Sequence, residues 1–176
     1  TINHLHYQRR YEIELAAIDP LLDGLKRVSA TFPSAKIVHS TFENYESDLR
    51  FDIVNATQSV YYIINKLQAL QKMIQYTQSR GLIIITLCSR ECILSKLHYD
   101  VMGLNSDLWV NAEDIYELLK KQNGIENVQI EFFQGEVDLT SWKTSREILE
   151  MAYEIIARGG LSTVSKLDSF AQALCN

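Results

Sequence analysis

An α/β fold, built on a doubly wound, mostly parallel sheet with helices on both faces, is what this sequence predicts, and three observations predict it. Strand-like apolar runs alternate along the chain with helical periods, the order that gives parallel sheets. The run Leu82 to Leu87, Leu-Ile-Ile-Ile-Thr-Leu, puts β-branched residues on both of its faces, as a strand covered from both sides does. The run Glu12 to Ile18 ends in Asp19-Pro20 and opens a helix, the first half of a crossover unit.

The elements follow in order. Ile2 to Arg10 reads as the tail of a helix. Ile13, Leu15, Ala17 and Ile18 give a first strand, and Pro20, placed at a first helical turn, starts a helix with Leu21, Leu22, Leu25 and Val28 on one face. Ala35 to His39 is a second strand, Phe51 to Asn55 a third and Leu82 to Leu87 a fourth. A helix from about Lys66 to Arg80 lies between the last two, with Leu67, Leu70, Met73 and Ile74 inward and Arg80-Gly81 as its stop. Glu91 to Met102 forms a helix on Ile93, Leu94, Leu97 and Val101. Asn111 caps a helix through Gln122, with Asp114 at capping-box spacing. Val128 to Phe133 reads as a strand and Ser145 to Ala157 as an amphipathic helix, broken by Gly159-Gly160. A last helix carrying Leu161, Val164, Leu167, Phe170 and Leu174 either caps the domain or docks on a partner, a second copy in a homodimer included.

Composition narrows the partners. The 176 residues are 47% apolar and 10% aromatic, enough for one domain with a packed core. The formal charge of -5 argues against a phosphate backbone as partner, so no nucleic acid is expected. No apolar run nears the roughly 18 residues of a membrane span, and nothing near Thr1 has the plan of a signal peptide. A cytoplasmic chain with no membrane partner is the expectation. Cys88, Cys92 and Cys175 are odd in number and lack a second pair at zinc spacing, so reduced thiols and no metal are expected. His4 and His6 have no acid or thiol beside them and read as surface residues. Ser89, Ser95, His98 and Asp100 invite a hydrolase reading, but no nucleophile-elbow pattern surrounds either serine. Lys66, Lys72, Lys120 and Lys121 are spaced as solvated helix faces.

Asp19 closes the first strand. At the carboxyl end of a strand in an open α/β sheet, an acid can accept hydrogen bonds from both hydroxyls of a nucleoside ribose; the competing reading is a helix cap. Ser40-Thr41-Phe42-Glu43 ends the next strand, and Phe51 to Tyr62 holds a third strand and the segment after it.

With these residues in this order the chain resembles the class I S-adenosylmethionine-dependent methyltransferases from their second, Rossmann-like strand onward. The resemblance implies S-adenosylmethionine as cofactor, with Asp19 on the ribose, Pro20 beside it, Phe42 along the adenine, Thr41 and Glu43 at the adenine end, and Asn55 and Ala56 bordering the sulfonium. It implies one methyltransferase-like domain over residues 1–176, with 1–90 the cofactor part and 91–176 the substrate or cap part. Within the class the chain is similar to histamine N-methyltransferase-like proteins. The carriers are Gln58 with Tyr61-Tyr62, the strand Leu82 to Leu87, a serine-bearing loop, a helix near Ser95 to Gly103, Asn111-Ala112-Glu113-Asp114, and Glu136-Val137-Asp138-Leu139-Thr140.

That likeness gives Gln58, Tyr61 and Tyr62 a substrate role and implies a small-molecule substrate with a nitrogen acceptor. The tryptophans that crowd a histamine pocket have no counterpart around Ser95 and Tyr99, so imidazole recognition does not carry over. The first strand and glycine-rich loop of the class are absent from this sequence. If Ile2 to Arg10 ends the first helix, that loop stands before Thr1 in a longer parent chain. The alternative is a methyltransferase-like scaffold module without catalysis.

Overall fold

The computed structural model describes residues 13–102 and 110–136. The expectations for Ile2 to Arg10, His4, His6, Val137 to Thr140, Ser145 to Ala157, Gly159-Gly160, the final helix and Cys175 lie outside the described residues. The fold is mixed α/β with short parallel sheets, and it divides into two compact units at Asp48 and Leu49.

The first unit contains β1 (Ala16–Asp19), α1 (Leu22–Thr31) and β2 (Lys36–His39). β1 and β2 pair in parallel, Ala16 opposite Lys36 and Asp19 opposite His39. Asp19 holds the approach to the helix, its Oδ1 accepting the Leu21 N–H at 2.7 Å, and Asp23 is the acid of the first turn, where negative charge suits the helix dipole. Pro20 therefore precedes the helix instead of starting it. Leu25 is the buried side chain of α1, whereas Leu21 and Leu22 are 70% and 50% exposed. The expected four-residue apolar face is narrower than its spacing suggested, because a two-stranded pair offers little surface to cover it.

The second unit opens with β3 (Phe51–Thr57), a 3-10 turn at Val60–Tyr62, α2 (Lys66–Tyr76) and β4 (Thr77–Thr86). Asn65 caps α2 by accepting the Gln68 N–H at 3.0 Å. The helix buries Ala69, Leu70, Met73 and Tyr76 against β3 and β4. Leu70 is fully buried, so truncating it to alanine costs about 2–5 kcal/mol. Leu67, expected inward, is 43% exposed, and Ile74 is half-buried. The helix stops at Tyr76, four residues before the expected Arg80. Thr77 Oγ1 donates to the Met73 carbonyl at 2.7 Å, and the β-branched residue then joins the sheet opposite Phe51.

β4 is consequently longer than expected and contains a bulge. Phe51 pairs with Thr77 and Ile53 with Leu82, so Asp52 alone faces the stretch from Gln78 to Gly81. Arg80 takes φ +66° in that bulge. At Gly81 a Cβ would stand 2.9 Å from the Gln78 carbonyl oxygen and 3.0 Å from that of Asp52, closer than backbone and side chain can pack. From Gly81 to Thr86 half-buried and exposed positions alternate. Ile53, Leu82 and Ile84 form the exposed set, so among the described residues the strands are not covered on both faces as the unbroken apolar run predicted.

α3 (Ile93–Met102) and α4 (Ala112–Leu119) complete the described elements. α3 begins two residues after the expected Glu91, with Ile93 46% exposed and Leu94 half-buried; the side chains of Leu97 and Val101 lie outside the description. α4 is capped as its spacing predicts: the Asn111 N–H donates to Asp114 Oδ2 at 3.0 Å. It ends at Leu119, short of Gln122. Residues 128–136 carry no regular structure, with Phe132 and Phe133 exposed, so the strand expected over Val128 to Phe133 does not form. No helix among the described residues is long and apolar enough to cross a membrane.

Candidate functional site

Strand ends position two groups of predicted residues, one in each unit. In the first unit Asp19 leaves β1 half-buried. One carboxylate oxygen holds the Leu21 N–H; the other takes no hydrogen bond among the described residues and stands 3.6 Å from where a Cβ on Gly24 would be. A glycine at that place keeps the flank of the carboxylate low. Pro20 presents its carbonyl to His39 Nε2 at 3.0 Å, and the Ser40 N–H extends the ladder by donating to the Asp19 carbonyl at 3.3 Å. Thr41 Oγ1 accepts the Asn44 N–H at 3.4 Å, Phe42 is half-buried, and Glu43 is exposed. Asp19 thus closes a turn ahead of α1, whose N-cap is Leu21 with no side-chain cap, so it does not cap the helix itself, and its second oxygen remains as an acceptor.

In the second unit β3 ends at Thr57, and Gln58 follows with φ +50°, a left-handed conformation that a glutamine adopts only under constraint. The constraint is visible. The Gln58 N–H donates to the Thr86 carbonyl at 2.8 Å, tying the ends of β3 and β4 together. Its Oε1 accepts from the Tyr61 hydroxyl at 3.1 Å and lies 4.0 Å from Cys88 Sγ. Tyr61 is half-buried and Tyr62 is 61% exposed, yet their rings still meet edge to face at 4.7 Å between centroids. Ala56 is buried, and the exposed Asn55 accepts from Thr57 Oγ1 at 3.2 Å.

Burial, and after it the neighbouring Cys92 thiol, pushes the Cys88 thiol up to about 12. It is a neutral group beside Gln58 at physiological pH.

A polar network that spacing did not reveal adjoins this cluster. Asn111 is fully buried. Its Oδ1 lies 2.9 Å from Ser95 Oγ, and its amide nitrogen donates to the Tyr99 hydroxyl and, at 3.3 Å, to Asp114 Oδ2. Arg90 pairs with Asp114 through its guanidinium, and its backbone N–H meets both oxygens of Glu113 at 3.2 and 3.1 Å. The Ala112 N–H donates to the Cys88 carbonyl at 3.0 Å, which joins the network to the end of β4. Ser95 Oγ also lies 2.8 Å from the Ser89 carbonyl oxygen. That hydroxyl stands between two acceptor oxygens. The sequence disclosed only the Asn111–Asp114 spacing; Arg90, Tyr99 and Ser95 meet through tertiary packing, which leaves no local pattern.

No family model matches the chain, and no curated protein matches it in sequence. Among solved structures it is similar to the plantazolicin methyltransferase BpumL, crystallised with S-adenosylhomocysteine and a triazolic, pentazolic or monoazolic desmethylPZN analog. The identity is 12% and the TM-score 0.45, over 99% of this chain and 65–66% of that enzyme. This chain thus spans somewhat less than two thirds of the enzyme's length. Those ligands are that enzyme's own; what this chain does has to come from its own side chains.

Elsewhere in the second unit an open groove of about 480 Å³ is lined by Leu67, Gln71, Ile74 and Lys121 among others and includes none of the predicted site residues. Among the described residues no three histidine, cysteine or acid side chains gather as a metal site.

Proposed function

We propose that this chain belongs to an S-adenosylmethionine-dependent methyltransferase acting on a small molecule, with a nitrogen as the acceptor to test first. The observation that carries the reading is Asp19: a carboxylate at the carboxyl end of a parallel strand, one oxygen fixed by the Leu21 N–H and the other available as an acceptor. A vicinal diol needs such an acceptor, held rigidly. The carboxylate fits a ribose in kind, and Phe42, on the segment that follows β2, offers an apolar ring for a base.

The bound cofactor would supply a methyl group on a sulfonium, transferred by in-line displacement. Such a transfer asks of the protein positioning and exclusion of water and no nucleophile of its own. Asp19, Pro20, Thr41, Phe42 and Glu43 are assigned to the nucleoside. Gln58, with its carboxamide set by Tyr61, orients the acceptor, and Tyr62 lies beside it. The strained backbone at Gln58 supports this, since strain of that kind gathers where a side chain must be aimed.

Calorimetry with S-adenosylhomocysteine tests the reading, on this chain and on Asp19→Asn and Asp19→Ala. Asparagine keeps an oxygen for the Leu21 N–H but gives up the charge, so it should stay folded and bind at least tenfold more weakly, the loss of about one charge-assisted hydrogen bond. Unchanged affinity in Asp19→Asn would sink the ribose assignment.

A second reading, a non-catalytic interaction module, draws on the exposed apolar set of Ile53, Leu82 and Ile84. It predicts no nucleoside binding and a dimer or complex that Leu82→Lys disperses. Sedimentation of the two proteins separates the readings.

A further inference from the structure

The groove of about 480 Å³ in the second unit is built by two elements, and it contains none of the residues assigned to methyl transfer. Leu67, Gln71, Ile74 and Gln75 recur at helical spacing along α2 and form one wall. Lys121, Gln122 and Asn123, on the turn after α4, form the other. Two contacts hold the walls together. Gln71 Nε2 donates to Gln122 Oε1 at 3.4 Å, and Gly124, at φ +86°, comes so near α2 that a Cβ on it would stand 3.7 Å from Ile74 Cγ2.

The lining offers three kinds of chemistry. Leu67, 43% exposed, and the half-buried Ile74 give an apolar surface. Gln75 and Asn123 keep their carboxamides open among the described residues, each a donor and an acceptor as a peptide unit is. Lys121 is the charged member of the lining, with no acid beside it there and no ion pair among the described residues. The end of α4 does not occupy it either. The carbonyls of Tyr116, Leu118 and Leu119 accept the N–H groups of Lys120, Lys121 and Gln122, and that of Leu118 also accepts the Gln122 amide at 3.0 Å. In a chain of formal charge -5, an unpaired cation in a groove without acids is complementary to an anion.

We propose that this groove binds the carboxyl-terminal end of a peptide with apolar side chains. The terminal carboxylate meets the Lys121 ammonium, the peptide units exchange hydrogen bonds with Gln75 and Asn123, and an apolar side chain covers Leu67 and Ile74. The volume lies within the roughly 300–1,000 Å³ of small-ligand sites, so the groove takes the end of a chain and not a folded surface. A carboxylate on a plain alkyl chain would use Lys121, Leu67 and Ile74 but leave the carboxamides idle.

Heteronuclear NMR of the full chain, following its side-chain amides, tests this with three probes: acetyl-leucyl-leucine as the free acid, the same peptide as its amide, and decanoate. The free acid should move the Gln75 and Asn123 side-chain signals along a saturable curve. The amide should bind at least about tenfold more weakly, the loss of one charge-assisted hydrogen bond. Lys121→Met, which keeps an apolar stem, should bring the acid down to the level of the amide. Leu67→Ser should weaken both, with urea midpoints confirming that each variant is folded. No saturable shift with the free acid, equal affinity for acid and amide, or undiminished binding of the acid to folded Lys121→Met would overturn the proposal. So would decanoate binding as tightly as the peptide acid, which would make the groove a site for alkyl carboxylates.

Discussion

His39 Nε2 lies 3.0 Å from the carbonyl oxygen of Pro20, so the last residue of β2 fastens the junction between β1 and α1 by its side chain, beyond the end of the ladder. His39→Ala should lower stability by about 0.5–1.5 kcal/mol in urea denaturation, with an unchanged m-value. A variant as stable as the parent would mean that the ladder alone sets the junction.

Gln58 offers a cleaner comparison. At φ +50° an L-residue is strained and glycine is not. Alanine and glycine both remove the side chain, so Gln58→Gly should exceed Gln58→Ala in stability by about 0.5–1 kcal/mol. If Gln58 aims an acceptor, both variants lose turnover alike, whatever their stability.

The two glycines next to predicted site residues and bulge should respond in opposite directions. A Cβ at Gly24 meets Asp19 Oδ2 at an ordinary 3.6 Å inside α1, so Gly24→Ala should gain about 0.4–1 kcal/mol. A Cβ at Gly81 falls 2.6 Å from Thr77 Cγ2 and against two backbone oxygens, so Gly81→Ala should lose about 1–3 kcal/mol. Midpoints in urea at fixed m decide both.

Asp114 makes stability depend on acid. Burial pushes its carboxyl up, but the Asn111 N–H, the Arg90 guanidinium and the Asn111 amide outweigh burial and hold it below its ordinary value of 3.8. A carboxylate lowered on folding adds stability that is complete above its unfolded value and disappears as pH falls through the folded one. Urea midpoints should therefore fall as pH drops below about 4, and Asp114→Asn should flatten part of that slope. An identical slope in the variant would remove Asp114 from the account.

Particular residues show where sequence reading reached and where it stopped. The strands ending at Asp19 and His39 and the apolar run from Leu82 were legible, because β-branched runs bounded by polar residues have few other uses. The end of α2 was not: Thr77-Gln-Ser-Arg reads as a solvated helical turn, and only pairing of Thr77 with Phe51 makes it extended. Leu67 has the spacing of a core residue but faces solvent, since the burial face is fixed by what α2 packs on. Asp19 was singled out by its place at a strand end, and Gln58 and Tyr61 by the resemblance. The left-handed backbone at Gln58, and the meeting of Arg90, Ser95 and Tyr99 around Asn111, depend on contacts across elements that no local pattern records.

Each parallel pair joins strands that are neighbours in the chain, with one helix carrying the crossover: β1 to β2 over α1, and β3 to β4 over α2. Contacts of such short sequence separation form early in folding. During synthesis, β1 and β2 have each other, the pairing seen among the described residues, before Phe51 leaves the ribosome, and can order while the rest is still being made. Slowing translation after Asp48 should therefore help this protein fold, and a label on Leu25 should report burial before one on Leu70.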